Sequence, residues 1–361
     1  MSPSRSEDEH FMRRALALAR RGRYTASPNP MVGAVLVRRG KICSEGWHHF
    51  AGRPHAEALA LRKDPGGESA ILFVTLEPCV HYGKTPPCLD AILAAPVRRV
   101  VVAVRDADPR VGGRGIAQLR AAGREVTLGV LEREARFLNR MYFHSIRTGL
   151  PWVIVKWAAT LDGRIADRRG RSAWITSEAA RREGKRIREE VDAILVGSRT
   201  VLLDDPLLAR PVEHPPRRPL LRIILDPAGR IPVSARVFSR GPVIWMTSLN
   251  ATIRRVPPTA KLARLPSRGG EFKPEEILRR LSKEGVRSVL VEGGGETAGR
   301  FFKARCVQEA AVFWGPRILG GGVPAVAGMD AALSVAPSVE LFQVRRIGAD
   351  LFMRGLVCSP A

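Results

Sequence analysis

Two consecutive α/β domains with mainly parallel sheets are what the sequence predicts, and three observations predict them. Apolar runs suited to buried strands alternate with amphipathic helical stretches along the whole chain. The chain has 361 residues, too many for one ordinary hydrophobic core. The alternation completes itself near residue 145 and restarts at Pro151, leaving RTGLP (147–151) as a linker.

Taken in order, an opening helix spans Glu7 to Arg20, with Phe11, Ala15, Leu16 and Ala19 on one face. The polar turn TASPNP and a strand from Met31 to Val37 follow. A helix begins near His55 and runs through ALALRK, and ILFVTLE (71–77) reads as a buried strand. A helix over CLDAILAA, a strand RRVVVAVRD, a helix IAQLRAAG closed by Gly123 and a strand EVTLGVL complete the first series. The second series has strands at WVIVKWA, AILVG, LLRIILD, PVIWMTS and SVLVE, with helices over Glu178 to Glu190 and TAGRFFKA. RPVEHPPRRP is expected as an exposed loop, with a phosphate contact as a lesser role. No fixed period suggests a solenoid.

Composition narrows the class. Hydrophobic residues make up 45% and charged residues 26%, the mixture of a globular protein rather than a disordered one. No apolar run approaches the roughly 20 residues needed to cross a bilayer, and the opening MSPSRSEDEH lacks a secretory signal. No membrane association and a cytoplasmic location are therefore expected. The cysteines are Cys43, Cys79, Cys88, Cys306 and Cys358, an odd count that argues against a disulfide framework. The formal charge of +24 raises the question of nucleic acid, but Lys and Arg are spread along the chain and only 6% of residues are aromatic. Few platforms exist for stacking bases, so a small anionic substrate is the better expectation.

The sharpest motif is P-H-A-E at 54–57, followed by E-P-C at 77–79 and P-P-C at 86–88. Zinc prefers nitrogen and thiolate donors, and a catalytic zinc keeps one position open. His55, Cys79 and Cys88 supply three ligands and leave that position free. Glu57, two residues past His55, stands beside the metal without ligating it, placed to take and return a proton as the catalytic residue. His-x-Glu followed by Pro-Cys and a further Cys is a recognised deaminase signature. His55 and Cys79 are each expected to open a helix, where the helix dipole favours a thiolate and Pro78 suits the first turn. Eight residues, VHYGKTPP, separate the cysteines where the general signature has two.

S-P-N-P-M-V-G (27–33), H-A-E and E-P-C-V-H-Y-G-K-T-P-P-C together resemble the bifunctional riboflavin-biosynthesis deaminase/reductase family. The likeness covers nearly the whole chain. It implies a cytidine-deaminase-like three-layer domain over 1–146, followed by a dihydrofolate-reductase-like α/β domain over 150–361. It implies Zn2+ and NADPH as cofactors, a small phosphorylated pyrimidine as substrate, and a homo-oligomer. The first domain would deaminate a diamino-ribosylamino-pyrimidinone 5′-phosphate, and the second would reduce its ribosyl group to ribityl. By motif, Asn29, His48, Lys84 and Asp106 would line the deaminase pocket. An amide such as Asn29 can donate and accept at a ribose or ring edge, and a loop ammonium such as Lys84 can reach a phosphate. The family usually has Asp-Pro-Asn where this chain has Asp106-Ala107-Asp108, so no role is assigned to Asp108.

No G-x-G-x-x-G follows the first strand of the second half, so an ordinary Rossmann site is not supported. V-E-G-G-G-E-T-A-G (291–299) instead joins a strand to a helix, a turn whose amides can bind phosphate and whose plainer reading is a tight turn. K-W-A-A-T-L-D-G-R-I-A (156–166), S-A-W-I-T (172–176) and the run from Asp192 to Pro206 resemble the family's reductase half. The resemblance places NADPH against Ala158, Trp174, Thr200, Asp204, Gly294, Gly295, Glu296, Thr297, Ala298, Gly299 and Arg300. It places substrate against Ser172, Arg188, Leu208, Arg210 and Glu292, the two Arg being suited to a phosphate. Pro227 stands where a hydroxyl is common and receives no cofactor role. Trp174 has ordinary core as its alternative, and Arg188 a solvated face of the charged helix RREGKRIREE.

Two competing readings exist. A nucleic-acid-modifying deaminase with a basic RNA-binding second half fits the net charge; the long inter-cysteine insert, the sparse aromatics and the Asp162-Gly163, Trp174 and Glu292 motifs disfavour it. A chain with one inactive half is the other, against which the intact zinc residues speak for the deaminase.

Overall fold

The computed structural model describes residues 5–83, 85–211 and 219–358. The chain divides into two compact units, Met1–Gly149 and Leu150–Ala361. Lys84 and most of the Pro/Arg-rich segment (212–218) lie outside the described residues.

The first unit runs α1 (Arg5–Ala19), β1 (Gly33–Arg38), β2 (Lys41–Trp47), α2 (Ala56–Arg62), β3 (Ala70–Val74), α3 (Cys88–Ala94) and β4 (Val97–Val102). It continues with α4 (Arg114–Ala121), β5 (Glu125–Leu128), α5 (Glu132–Leu138) and α6 (Arg140–Thr148). The strand order is β2-β1-β3-β4-β5. Successive side chains on a strand point to opposite faces, so the sheet builds two cores. Val35, Val37, Ile71, Phe73 and Val101 pack with Phe11, Met12 and Leu16 of α1 and with Ala135 and Phe143 of α5 and α6. Ala34, Leu36, Leu72, Val74 and Val100 pack instead with Ala56 and Ala60 of α2, Leu89 and Ile92 of α3, and Leu119 of α4. The result is three layers, helices on both faces of one sheet.

Two expectations are corrected here. The sheet is mixed rather than mainly parallel, because β1 is antiparallel to both neighbours while β3, β4 and β5 run parallel. Arg39 and Gly40, at φ of 47° and 71°, make a two-residue turn that folds β2 back on β1. Edge strand β2 went unpredicted because KICSEGW carries few apolar residues. The second correction concerns Cys79, which lies in the loop after β3; the helix starts at Cys88, directly after Pro87. Gly46 lets β2 and α2 approach closely: a Cβ there would fall on the Ala56 carbonyl oxygen. That packing seats the helix that carries His55 at its N-cap and Glu57 in its first turn.

The second unit begins with β6 (Trp152–Thr160), β7 (Arg164–Ala166), α7 (Glu178–Ile187), β8 (Ala193–Gly197), α8 (Ser198–Asp204), β9 (Leu221–Leu225), β10 (Val243–Ser248) and β11 (Ala260–Leu265). Then come α9 (Pro274–Lys283), β12 (Ser288–Val291), α10 (Gly295–Lys303), β13 (Glu309–Gly315), β14 (Val323–Pro324), β15 (Ser338–Ile347) and β16 (Asp350–Cys358). The main sheet has the order β11-β10-β9-β8-β12-β6-β13-β16-β15. It is parallel as far as β13 and closes with an antiparallel hairpin, β15–β16, that the sequence reading omitted. One face buries Val153, Leu195, Ile223, Ile244 and Val289 against Ile277, Leu278 and Leu281 of α9 and Ala298 and Phe301 of α10. Helix α7 stops at Ile187, short of the expected Glu190. Beyond it the N–H groups of Arg188, Glu189 and Glu190 bond three residues back, the tighter turn common at a helix end.

Candidate active sites: a metal cage and a cofactor cleft

The structure brings His55, Cys79 and Cys88 together, their ligand atoms all within 4.8 Å of one another. His55 Nδ1 lies 3.1 Å from Cys88 Sγ and 3.5 Å from Cys79 Sγ. The backbone N–H of Cys88, at the start of α3, donates to Cys79 Sγ at 3.3 Å. The helix N-terminus that was expected to follow Cys79 thus serves it from across the insert. The Cys88 thiol and the His55 ring hold Cys79 below the ordinary thiol range, and Cys79 with burial pushes Cys88 up. Two thiols this close share one ionisation, and a cation between them removes the conflict.

Glu57 is only 3% exposed, and its Oε2 has no hydrogen-bond partner. Burial pushes its carboxyl up to about 7, within the range suited to passing a proton near neutrality. Two thiolates, an imidazole and an orphaned buried carboxylate oxygen fit a catalytic zinc with one open position.

Around the cage, Asn29 Nδ2 donates to His48 Nε2 at 3.0 Å, and His48 Nδ1 donates to the Pro54 carbonyl at 3.3 Å. Burial, helped by the neighbouring His55, lowers His48 to about 4, so the ring is neutral and can accept at Nε2. His48 is 2% exposed and stands edge-on to His55, with ring centroids 5.1 Å apart. It therefore fixes the Asn29 amide with Nδ2 turned toward His48. Asp106 accepts from Tyr142 Oη and from the Asp108 N–H, each at 2.9 Å. Asp108 is occupied by its own Arg110, at 2.6 Å.

Sequence reasoning passed over Glu77. Its buried carboxylate accepts from the N–H groups of Asp106 (3.2 Å), Gly113 (2.9 Å) and Ile116 (3.2 Å), tying the Cys79 loop to the Asp106 loop. Its place in the T-L-E-P-C run was visible; its partners were not.

In the second unit, Glu292 sits between two cations. Arg188 donates to it through Nε and Nη2, both at 2.9 Å, and Lys156 Nζ donates at 3.2 Å. Burial alone would raise the Glu292 carboxyl, but Lys156 and Arg188 outweigh it and hold it at about 2. Arg188 Nη1 also donates to the Ala209 carbonyl, and Arg210 donates to the carbonyls of Arg188 (3.3 Å) and Val191 (3.0 Å). Arg188 lies on no solvated face, and both arginines spend much of their donor capacity on the protein itself. Lys156 heads the K-W-A-A-T motif but was not singled out from sequence. Leu208 is buried beside this group, with φ of 50°. Ser172 is exposed, and so is Trp174, at 66%, which removes the core alternative. The Arg181 guanidinium stacks over the Trp174 ring 4.0 Å from its centroid.

A cleft of about 1080 Å³ opens where Gly197 ends β8, Leu225 ends β9 and Ser248 ends β10, beside Glu296, Thr297 and Arg300 of α10. Ligand sites at the carboxyl ends of parallel strands are the rule in open α/β sheets. The glycine turn divides between two duties. A Cβ on Gly295 or Gly299 would fall on the carbonyl oxygens of Pro324 and Ala327, so that side of α10 is filled by the chain's own backbone, and Ala298 is core. Gly294, at the N-cap, faces open space. Ala158 lies on β6, and Thr200 and Asp204 on α8; none of the three is among the residues lining the cleft.

Fold and site together define a two-domain enzyme, a zinc-binding deaminase domain of the cytidine-deaminase class followed by a reductase domain. Residues 5–104 match the cytidine and deoxycytidylate deaminase zinc-binding region, and residues 151–353 match the RibD C-terminal domain. The chain is 38% identical over 361 residues to the riboflavin biosynthesis protein RibD of Escherichia coli (strain K12), covering 96% of this chain and 98% of that one. It is 40% identical over 328 residues to RibD of Aquifex aeolicus (strain VF5), covering 88% and 90%. A solved diaminohydroxyphosphoribosylaminopyrimidine deaminase/5-amino-6-(5-phosphoribosylamino)uracil reductase from Thermotoga maritima superposes with a TM-score of 0.88 at 37% identity, over 98% of this chain and 99% of that one. RibD of Acinetobacter baumannii gives 0.89 at 33% identity, over 99% and 100%.

The chain belongs to the RibD family of bifunctional riboflavin-biosynthesis enzymes. Its cofactors are Zn2+ and NADPH, and its substrate is a small pyrimidine. The nucleic-acid-modifying alternative finds no support in these relationships. Among the described residues no helix is long and apolar enough to cross a membrane.

Proposed function

We propose that residues 1–146 hydrolytically deaminate 2,5-diamino-6-ribosylamino-4(3H)-pyrimidinone 5′-phosphate, and that residues 150–361 then reduce its ribosyl side chain to ribityl with NADPH. The observation that carries this reading is the His55–Cys79–Cys88 cage beside the buried, unpartnered Glu57 oxygen. Zinc, when bound, supplies the Lewis acidity that brings a water within reach of deprotonation near neutral pH. Glu57 then takes a proton at Oε2 and returns it to the departing amine. Asn29, held by His48, accepts from the ribose or the ring edge. Asp106, fixed by Tyr142 and by the loop that Glu77 ties down, lines the same pocket, and the phosphate is assigned to the ammonium of Lys84, a residue outside the described ones.

In the second domain NADPH supplies the hydride, and the protein's part is to orient nicotinamide and substrate. Ala158, Trp174, Thr200, Asp204 and, within the turn from Gly294 to Arg300, Gly294, Glu296, Thr297 and Arg300 position the cofactor, while Gly295, Ala298 and Gly299 pack against the protein itself. Ser172, Leu208 and the Glu292–Arg188–Arg210 group position the opened sugar and its phosphate. Arg188 keeps two of its N–H donors beyond the bonds described above, enough for one phosphate oxygen. The enzyme works in the cytoplasm as a homo-oligomer. Edge strand β15 favours the latter, since it exposes Val339, Leu341 and Val344 on an open sheet edge.

NADPH oxidation measured with the aminated and the deaminated pyrimidine phosphate tests both halves and their order. Wild-type protein uses both substrates, and Glu57→Gln uses only the deaminated one. Tight RNA binding without NADPH turnover would refute the assignment.

A further inference from the structure

The cleft at the carboxyl ends of β8, β9 and β10 has a polar end that no role assigned so far uses. Asp226, just past β9, is fully buried, and its carboxylate accepts from the N–H groups of Arg230 (3.1 Å) and Ile231 (3.0 Å) and from Trp245 Nε1 (3.1 Å). Those bonds fix the turn that sets the exposed Arg230 side chain on the cleft wall. The opposite turn, after β10, is fixed as firmly. Arg264 Nη1 donates to the carbonyls of Ser248 (3.1 Å), Leu249 (3.0 Å) and Ala251 (2.9 Å). Asn250 and Thr252 of that turn line the cleft, as do Ser248 and Ser267, whose hydroxyls are 2.6 Å apart.

Charge singles out one residue. Arg199 faces Glu296 at 3.7 Å, and Arg300 is paired with Glu271 at 2.6 Å and lies 3.8 Å from Glu296. Arg230 is the one cation lining the cleft that has no acidic partner among the described residues. An unneutralised guanidinium on a rigid turn, with hydroxyl and amide donors on the facing turn, is chemistry for a phosphate dianion.

On the reading that the dinucleotide lies along this cleft, we propose that Arg230, with Asn250 and Thr252 opposite, receives the 2′-phosphate of the adenosine ribose and so sets the preference for NADPH over NADH. The two cofactors differ only in that group, so discrimination has to come from whatever meets it.

Calorimetric titration of the full chain with adenosine 2′,5′-bisphosphate and with 5′-AMP tests this, together with KM for NADPH and NADH. Wild-type protein is expected to favour the bisphosphate by about ten- to a hundredfold, the usual weight of a charge-assisted contact. Arg230→Ala should erase most of that ratio and lower the NADPH-over-NADH preference in step, while Arg230→Lys retains part of both. The side chain is exposed, so neither variant threatens the fold. An unchanged ratio in Arg230→Ala, or equal weakening toward both nucleotides, overturns the assignment while NADPH turnover by the wild type leaves the enzymatic reading standing. Absence of any nucleotide binding by the wild type would overturn both.

Discussion

His55 turns Nδ1 toward both cysteines and Nε2 toward the Thr85 hydroxyl, 3.4 Å away. Thr85 belongs to the insert between the two cysteines, so the segment that lengthens the general signature also reaches back to a ligand. With the Nε2 proton engaged by Thr85, Nδ1 is left as a lone pair for the metal. Outer partners of this kind typically change metal affinity by roughly 10- to 100-fold. Thr85→Val should lose zinc to a competing chelator at about tenfold lower chelator concentration, and Thr85→Ser should behave as wild type. Equal zinc retention in all three proteins would remove Thr85 from the site.

Glu57→Gln preserves shape and burial but cannot carry the proton. Ammonia release should fall by about 10²–10⁴-fold, with zinc content unchanged because Glu57 is not a ligand. NADPH oxidation with the deaminated substrate should be unaffected. Concurrent loss of zinc would show the carboxylate to be structural instead.

The Glu292 carboxyl has a folded-state value of about 2 against an ordinary 4.5. A carboxyl depressed by folding contributes stability that is complete above its unfolded value and is lost as pH falls through its folded one. The second domain should therefore lose stability between about pH 4.5 and 2, and Glu292→Gln should flatten that part of the melting-temperature profile. Near neutrality Glu292→Ala strands Lys156 and Arg188 in a buried site, at roughly 3–5 kcal/mol. Parallel acid profiles for wild type and Glu292→Gln would contradict this.

Gly299→Ala and Gly294→Ala separate packing from cofactor contact on the same turn. The first puts a methyl onto the Ala327 carbonyl oxygen and should cost about 1–3 kcal/mol in thermal unfolding. The second meets nothing within 4 Å, so it should melt like wild type, and any loss it shows in NADPH affinity reports on the cofactor. A Gly299→Ala protein as stable as wild type would mean that α10 can move away from the Pro324–Ala327 segment.

The cage was legible in the sequence because zinc chemistry restricts residue type, and H-A-E with two Pro-Cys steps shows those types directly. The strand–helix alternation was legible for the same kind of local reason, since buried strands such as AILFV leave an unbroken apolar run. Strand β2 was not, because an edge strand shields little apolar surface. Glu77, Thr85, Lys156 and Asp226 were invisible as a group. Each acts through partners, 4 to 136 positions away, that only the folded chain assembles. Cys79 shows the subtler failure: it was expected to open a helix but lies in a loop, and the helix N-terminus that donates to its sulfur is the one that begins at Cys88.

X-ray absorption at the zinc edge of the purified protein tests the central claim most directly. About one zinc per chain, with two sulfur neighbours near 2.3 Å and a nitrogen near 2.0–2.1 Å, is the predicted shell, with one sulfur lost in Cys88→Ser. A wild-type shell of oxygen and nitrogen alone, or one indifferent to Cys88, would contradict the cage and the deaminase chemistry built on it.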